Sequence, residues 1–248
     1  MSFKFKYKND IRYCYIESFD KTNVVNSVFT TRVGDKDDVL ETVGEILGIS
    51  REGMAVSKQI HGTNIAIVDD IEEYNNFREK IEGIDGIITN KTDVALVTFY
   101  ADCVPLFFLD INKNVIGLAH AGWKGSLKGI GAKMISKMKL YFDSVPKDIL
   151  VGIGPSIGKC CYEVGEELFE LFNNKFEEQT KYLFYKKRDK YFLDLWMCNK
   201  NLLLKEGIPE NNITVSCLCT SCNIDTFYSY RRENGTNNRM AAALRLNK

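Results

Sequence analysis

From Val94 onward the chain alternates between unbroken apolar runs and stretches of helical spacing. Val94 to Tyr100 is β-branched and aromatic, Leu106 to Leu109 is a short apolar run, and Val115 to Ala119 is another, so three strands are predicted. Asn112-Lys113-Asn114 supplies a hairpin turn between the last two. After Gly122-Trp123-Lys124-Gly125 the period changes. Leu127, Ile130, Met134 and Met138 recur at helical spacing, which predicts an amphipathic helix over 126–142. Ile149 to Ile153 returns to strand, and Gly154-Pro155 breaks it. Two later helices are predicted over about 164–174 and 194–206, the second with Asp194 as N-cap and Gly207 as stop. Ile213 to Leu218 and Thr226 to Tyr230 read as strands, and Met240 to Leu246 suits either strand or helix. The mixture predicts an α/β (α+β) fold, a mixed β-sheet with helices packed on its faces. Whether the sheet has one layer or two stays open at this point. With four prolines and no Pro/Gly/Ser-rich linker, one domain over residues 1–248 is expected.

Composition narrows the partners. The hydrophobic share is 45% and the charged share 27%, the balance of a globular protein. Lysine plus arginine equals aspartate plus glutamate at 33 each, so no strong field draws the chain to nucleic acid or an anionic membrane. Met1 to Lys6 alternates and is charged, unlike the apolar core of a signal peptide, and no apolar stretch is long enough for a membrane helix. A cytoplasmic protein, monomer or homodimer, is expected. Its eight cysteines would then be free thiols or metal ligands rather than disulfides.

The two histidines and one of those cysteines carry the candidate chemistry. His61 stands in Lys58-Gln59-Ile60-His61-Gly62, and His120 precedes Ala121-Gly122-Trp123. Cys103 lies between them in Ala101-Asp102-Cys103-Val104-Pro105. Two imidazoles and a thiolate form the donor set of a Cys-His-His metal site. Three protein ligands on a tetrahedral ion leave one position open, which separates a catalytic zinc from a structural one. A hairpin with Cys103 at its entry and His120 at its exit closes their separation of 17 residues (120 − 103). His61, 42 residues before Cys103 (103 − 61), can join them only through tertiary structure. Gly62 and Gly122 would let backbone approach the site closely. Two alternatives stay open: surface histidines with a core cysteine, and a metal-free hydrolase or deamidase in which Cys103 is the nucleophile and a histidine its base. The second imidazole weighs toward a metal, because a nucleophile needs one base.

Several strings together resemble the YfiH-like laccase-domain family, also known as polyphenol oxidases. They are Lys58-Gln59-Ile60-His61-Gly62, Asp85-Gly86, Ala101 to Pro105, Gly117 to Gly125, Gly152 to Gly158 with Cys160 to Val164, and Phe227 to Arg232. The resemblance runs from Phe29-Thr30-Thr31-Arg32 to the C-terminus, nearly the entire chain. It implies an α/β sandwich and a single metal, usually zinc, on His61, Cys103 and His120. It also implies phosphorolysis of adenosine, inosine and methylthioadenosine, with adenosine deamination beside it. The implied partners are purine nucleosides and phosphate.

The residue inventory tests the family's names. A multicopper oxidase needs a histidine-built cluster beyond one copper site, and no histidine is left once His61 and His120 are used. Single-copper phenol oxidation stays open, since Cu²⁺ outranks zinc in affinity at such donors. Zinc lowers the pKa of bound water to about 7, which suits deamination at C6 of adenine. The His-x-Glu signature of zinc deaminases is missing, so Asp102, the carboxylate nearest a ligand, is the candidate catalytic acid/base. Arg32 or Arg231 could hold phosphate, Gln59 could read a base edge or a ribose hydroxyl, and Trp123 or Tyr100 could stack on a purine. Cys217 and Cys219 would share one face of a strand and could chelate, although buried thiols are the plainer reading. Cys160-Cys161 reads as structural, near the pocket.

Overall fold

The computed structural model describes residues 2–32, 38–78 and 83–247. The chain opens with β1 (Phe3–Lys8), β2 (Ile11–Ile16), the short α1 (Glu17–Asp20), β3 (Val25–Thr30) and α2 (Val39–Leu47). β4 (Met54–Val56), β5 (Ile65–Ile67), α3 (Ile71–Arg78) and β6 (Gly86–Thr89) follow. The centre holds β7 (Ala95–Tyr100), β8 (Val104–Asp110), β9 (Val115–Ala121), α4 (Trp123–Leu127), α5 (Ile130–Phe142) and β10 (Ile149–Ile153). The last third contains β11 (Glu163–Val164), α6 (Glu166–Phe176), α7 (Thr180–Leu183), β12 (Phe184–Lys187), β13 (Lys190–Leu193), α8 (Leu195–Lys205), β14 (Ile213–Val215) and β15 (Met240–Leu246).

These strands build two mixed six-stranded sheets, β1-β2-β3-β15-β7-β4 and β14-β10-β8-β9-β6-β5, with a small three-stranded sheet beside them. The sheets pack face to face. Phe29, Leu96, Tyr100 and Leu244 of the first meet Ile87, Phe107, Ile116 and Leu118 of the second in one apolar layer. On the outer face of the first sheet, α2 inserts Leu40, Val43 and Ile46 over Val28, Val97 and Ala241. On the outer face of the second, Met134 and Met138 of α5 and Leu203 of α8 cover Leu106, Phe108 and Ala119. The order of layers is therefore helix, sheet, sheet, helix.

This layering explains the unbroken apolar runs. Successive side chains of a strand point to opposite faces, and here both faces are covered. Phe107 and Leu109 of β8 enter the inter-sheet core, while Leu106 and Phe108 meet helices. Alternation disappears because no face meets water.

The predicted hairpin forms, with Asp110 opposite Val115 and the Asp110 carboxylate accepting from the N–H of Asn112 and Lys113. Met240 to Leu246 is a strand, central in its sheet. Asp194 caps α8 through the N–H of Met197, as expected. Four expectations need correction. The helix expected over 126–142 is two, because Gly129 takes φ +72° between α4 and α5. The helix expected from 164 starts at Glu166, since Val164 pairs with Tyr191. Ile213 to Leu218 is strand only to Val215, and Cys217 beyond it has φ +54°. Thr226 to Tyr230 is not a strand, because its N–H groups are used locally: Thr226 and Phe227 donate to the Asn223 carbonyl, and Ser229 to Glu233.

Three connections cross from one sheet to the other at the same end of the sandwich; the β14–β15 segment is one, and the other two carry donors. One joins β4 to β5, the other β7 to β8. His61 rides on the first and Cys103 on the second.

Candidate metal centre

Each donor is placed by a strand end. In β9, Ile116 and Leu118 face the inter-sheet core, so His120, two residues further, points the same way. It pairs across the hairpin with Pro105, which puts Cys103 at the same end. The turn into Cys103 requires a left-handed residue, and Asp102 supplies it at φ +84°. The first crossing is laid down by ladder extension. Ser57 donates to the Val97 carbonyl at 3.0 Å, and the Gln59 side chain then imitates a strand. Its Nε2 donates to the Phe99 carbonyl at 2.9 Å while its Oε1 accepts from the Phe99 N–H at 2.7 Å.

The donors of His61, Cys103 and His120 lie within 4.8 Å of one another. His61 Nε2 is 3.8 Å from Cys103 Sγ. His120 Nδ1 is 2.9 Å from Asp85 Oδ1, which turns its other ring nitrogen to the cluster. No fourth His, Cys, Asp or Glu among the described residues joins the three, so one position on a tetrahedral ion is left to water or substrate. Gly122 is required by this crowding. A Cβ there would sit 3.1 Å from both Cys103 Sγ and His61 Cδ2.

Asp85 is fully buried, and its carboxylate accepts from the N–H groups of Ile60, His61 and Gly62 at 3.2, 2.9 and 2.8 Å. Three successive donors aimed at one anion need a left-handed residue among them, and His61 takes φ +61°. Burial opposes the charge on Asp85, but His120 and these N–H groups outweigh it and hold the carboxyl below the usual carboxylate range. Burial likewise pushes the Cys103 thiol up, yet the imidazoles of His120 and His61 bring it down to about 6. Burial lowers His120, while the Cys103 thiolate and Asp85 raise it to about 9. The residues fit a soft-to-borderline divalent cation: a thiolate ready at neutral pH, and an imidazole oriented by a carboxylate.

A cavity of about 790 Å³ opens over the donors, its wall including Phe99, Trp123, Tyr162, Tyr230, Arg231 and Arg239. Asp102 is the one carboxylate among its described lining residues. Its Oδ1 accepts from the Thr220 hydroxyl at 2.6 Å, and its Oδ2 from the Arg231 N–H at 2.7 Å. Arg231 lies over the Tyr162 ring and donates from Nη1 to the Glu163 carbonyl. Gln59 lines the cavity, and its amide is bonded at both ends to Phe99, which sets the path of the His61 segment. Arg32 is not in this cavity. Its guanidinium is taken by the Ile224 and Phe227 carbonyls and by Glu233, and it borders a separate recess with Asp38, Glu41 and Glu45. Tyr100 is core, its hydroxyl donating to the Ala119 carbonyl. Sequence reading missed Asp85 as a functional group, although Asp85-Gly86 belonged to the recognised strings. It also missed Arg239 and Ser57, whose buried Oγ has no hydrogen-bond partner at the cavity wall.

A sequence model of the family described as "Multi-copper polyphenol oxidoreductase laccase" matches residues 19–247. The chain belongs to that family. Among relatives of this laccase-like family, "Purine nucleoside phosphorylase YlmD" of Geobacillus stearothermophilus is 34% identical over 215 residues, 84% of this chain and 78% of that protein. A purine nucleoside phosphorylase of Borreliella burgdorferi is 39% identical over 176 residues, 71% of this chain and 72% of that protein. The crystal structure of Bacillus licheniformis YfiH superposes with a TM-score of 0.84 at 31% identity, covering 98% of this chain and 99% of that one. Among the described residues, no helix is long and apolar enough to cross a membrane.

Two outcomes follow from the geometry. Asp85→Asn should weaken zinc binding about 10–100-fold, measured by competition with a chromophoric chelator; unchanged affinity would remove Asp85 from the support of the site. In metal-free protein, alkylation of Cys103 followed by peptide mapping should have its midpoint near pH 6, not near the free-thiol value of about 8.5. A midpoint above 8 would show that the imidazoles do not stabilise the thiolate.

Proposed function

We propose that this laccase-family chain is a zinc-dependent purine nucleoside phosphorylase, acting on adenosine, inosine and methylthioadenosine, with adenosine deamination as a second activity. The observation that carries the reading is the meeting of His61, Cys103 and His120 on the wall of a nucleoside-sized cavity. Relatives named purine nucleoside phosphorylases support it. When bound, the zinc supplies Lewis-acid polarisation at neutral pH.

The chain's own groups supply the rest. The rings of Trp123, Tyr162 and Tyr230 give flat apolar faces for a purine. Arg231 and Arg239 bring guanidinium charge to the same space, suited to bidentate contact with phosphate. A phosphate oxygen bonds to ribose C1′ as the bond from C1′ to the base nitrogen breaks. The electron pair leaves with the base, which takes up a proton. Asp102 is the acid/base candidate, because it is the carboxylate at the wall. Its two accepted hydrogen bonds fix the orientation of the carboxylate.

A second reading rests on one feature. Cys103, His120 and Asp85 are arranged as a nucleophile, a base and the carboxylate that orients the base, which would suit a cysteine hydrolase or deamidase. His61, 3.8 Å from the same sulfur, favours the metal, since an attacking thiolate needs no second imidazole. A single Cu²⁺ on the same donors would give the phenol oxidation of the family's name.

Purified protein given adenosine and phosphate should release adenine, ribose 1-phosphate and inosine, and Cys103→Ala should abolish all three together with bound zinc. Retained turnover in that variant would overturn the proposal, and a wild type active without bound metal would remove zinc from it. Arg231→Ala should raise KM for phosphate about ten-fold or more, since hydrogen bonds to a charged group contribute about 1.5–3 kcal/mol. An unchanged KM for phosphate would place the anion elsewhere.

A further inference from the structure

Cys160, Cys161, Cys219 and Cys222 form a second convergence, separate from the first, with all four sulfurs within 4.8 Å of one another. We propose that these thiols bind one zinc-class cation as a tetrathiolate, a structural site that fixes two walls of the cavity.

The distances distinguish a metal cradle from a disulfide. Cys160 Sγ and Cys161 Sγ lie 3.5 and 3.4 Å from Cys222 Sγ. A disulfide needs about 2.05 Å between sulfurs, and all eight cysteines of the chain are free. Zinc bonds of about 2.3 Å in a tetrahedron put sulfurs about 3.8 Å apart, close to what is seen here. A disulfide would also use two of the four. Cys219-Thr220-Ser221-Cys222 has the Cys-x-x-Cys spacing of one half of a structural zinc site. The other half is the adjacent pair Cys160-Cys161, in a turn closed by the Cys161 and Tyr162 N–H groups on the Gly158 carbonyl.

The surroundings are built for that contact. The Gly158 N–H donates to Cys219 Sγ at 3.2 Å. A Cβ at Gly158 would sit 2.9 Å from Trp196, 3.3 Å from Cys160 Sγ and 3.3 Å from the Cys219 Cβ, so a side chain there would wedge the halves apart. Cys217, read from the sequence as a buried thiol rather than a chelating partner of Cys219, is exposed and outside the group. Binding exchanges four thiol protons for one Zn²⁺ and leaves a site of net charge −2.

The position gives the site its purpose. Tyr162, which follows Cys161, lines the cavity. Thr220, between Cys219 and Cys222, holds Asp102. No catalytic position is left, because four protein ligands close a zinc.

The test is metal stoichiometry on tag-free protein purified under reductant and argon. Cys219→Ser/Cys222→Ser should lose one zinc per chain relative to wild type, whatever the occupancy of the His61 site. The triple variant His61→Ala/Cys103→Ala/His120→Ala should keep one zinc. Reconstituted with Co²⁺, it should show the intense thiolate-to-cobalt charge transfer of four sulfur ligands, a readout that does not depend on the cysteine variants folding. An unchanged zinc count in the double variant, or a metal-free triple variant lacking that absorption, would each overturn the proposal. Loss of zinc from the triple variant alone would sink this site and leave the phosphorylase reading standing.

Discussion

Asp85 is the group on which the rest of the centre depends. One buried carboxylate gathers the N–H groups of Ile60, His61 and Gly62 and the ring of His120, and so joins the β4–β5 crossing to β9. A buried charge is tolerable only when its lone pairs are filled, and here the protein fills them with groups that must be positioned anyway. The same bonds that satisfy Asp85 hold His61 in a left-handed conformation and select the nitrogen His120 presents. Removing the carboxylate would leave three N–H groups without their acceptor and an imidazole without its orienting partner.

The sandwich makes this possible. Where two sheets stack, strands that end together must send their connections across the gap, and these crossings are the places where backbone leaves the ladder. β4 and β7 are parallel neighbours in one sheet, and β5 and β8 lie in the other, so both crossings pass the same edge. Ligands carried on them meet without any long-range loop. The Gln59 amide, bonded twice to Phe99, prolongs the ladder for one more step and delays the departure until His61 is in place.

How much of this was readable from residues follows from the same physics. The central strands and the hairpin were legible because they are buried on both faces and read as apolar runs. That hairpin was enough to bring Cys103 and His120 together. The His61 region was not legible: β4 and β5, which flank it, have three residues each, too short for a period to show. His61 needed tertiary information for this reason. Arg32 is engaged by three protein acceptors instead, since a guanidinium that suits an anion also suits two carbonyls and a carboxylate. Thr226 to Tyr230 misled, apolar enough for a strand but with its N–H groups spent on turns. The cysteine grouping was half visible. The spacing of Cys219 and Cys222 was in plain sight, but the partners of Cys222 lie 61 and 62 residues away across the fold.

The family's descriptive name and the donor set point in different directions, and counting decides between them. Several coppers need several clusters of nitrogen and sulfur ligands, and this chain has two histidines in all, both within the same 4.8 Å group. Among the described residues, the remaining clustered donors are four thiols, which suit zinc or other soft ions and would hold them closed. One open three-donor group and one closed sulfur cage leave a single group with room for a reacting ligand. Around that centre the cavity offers aromatic faces and guanidinium groups, and the three clustered donors lie on the same wall.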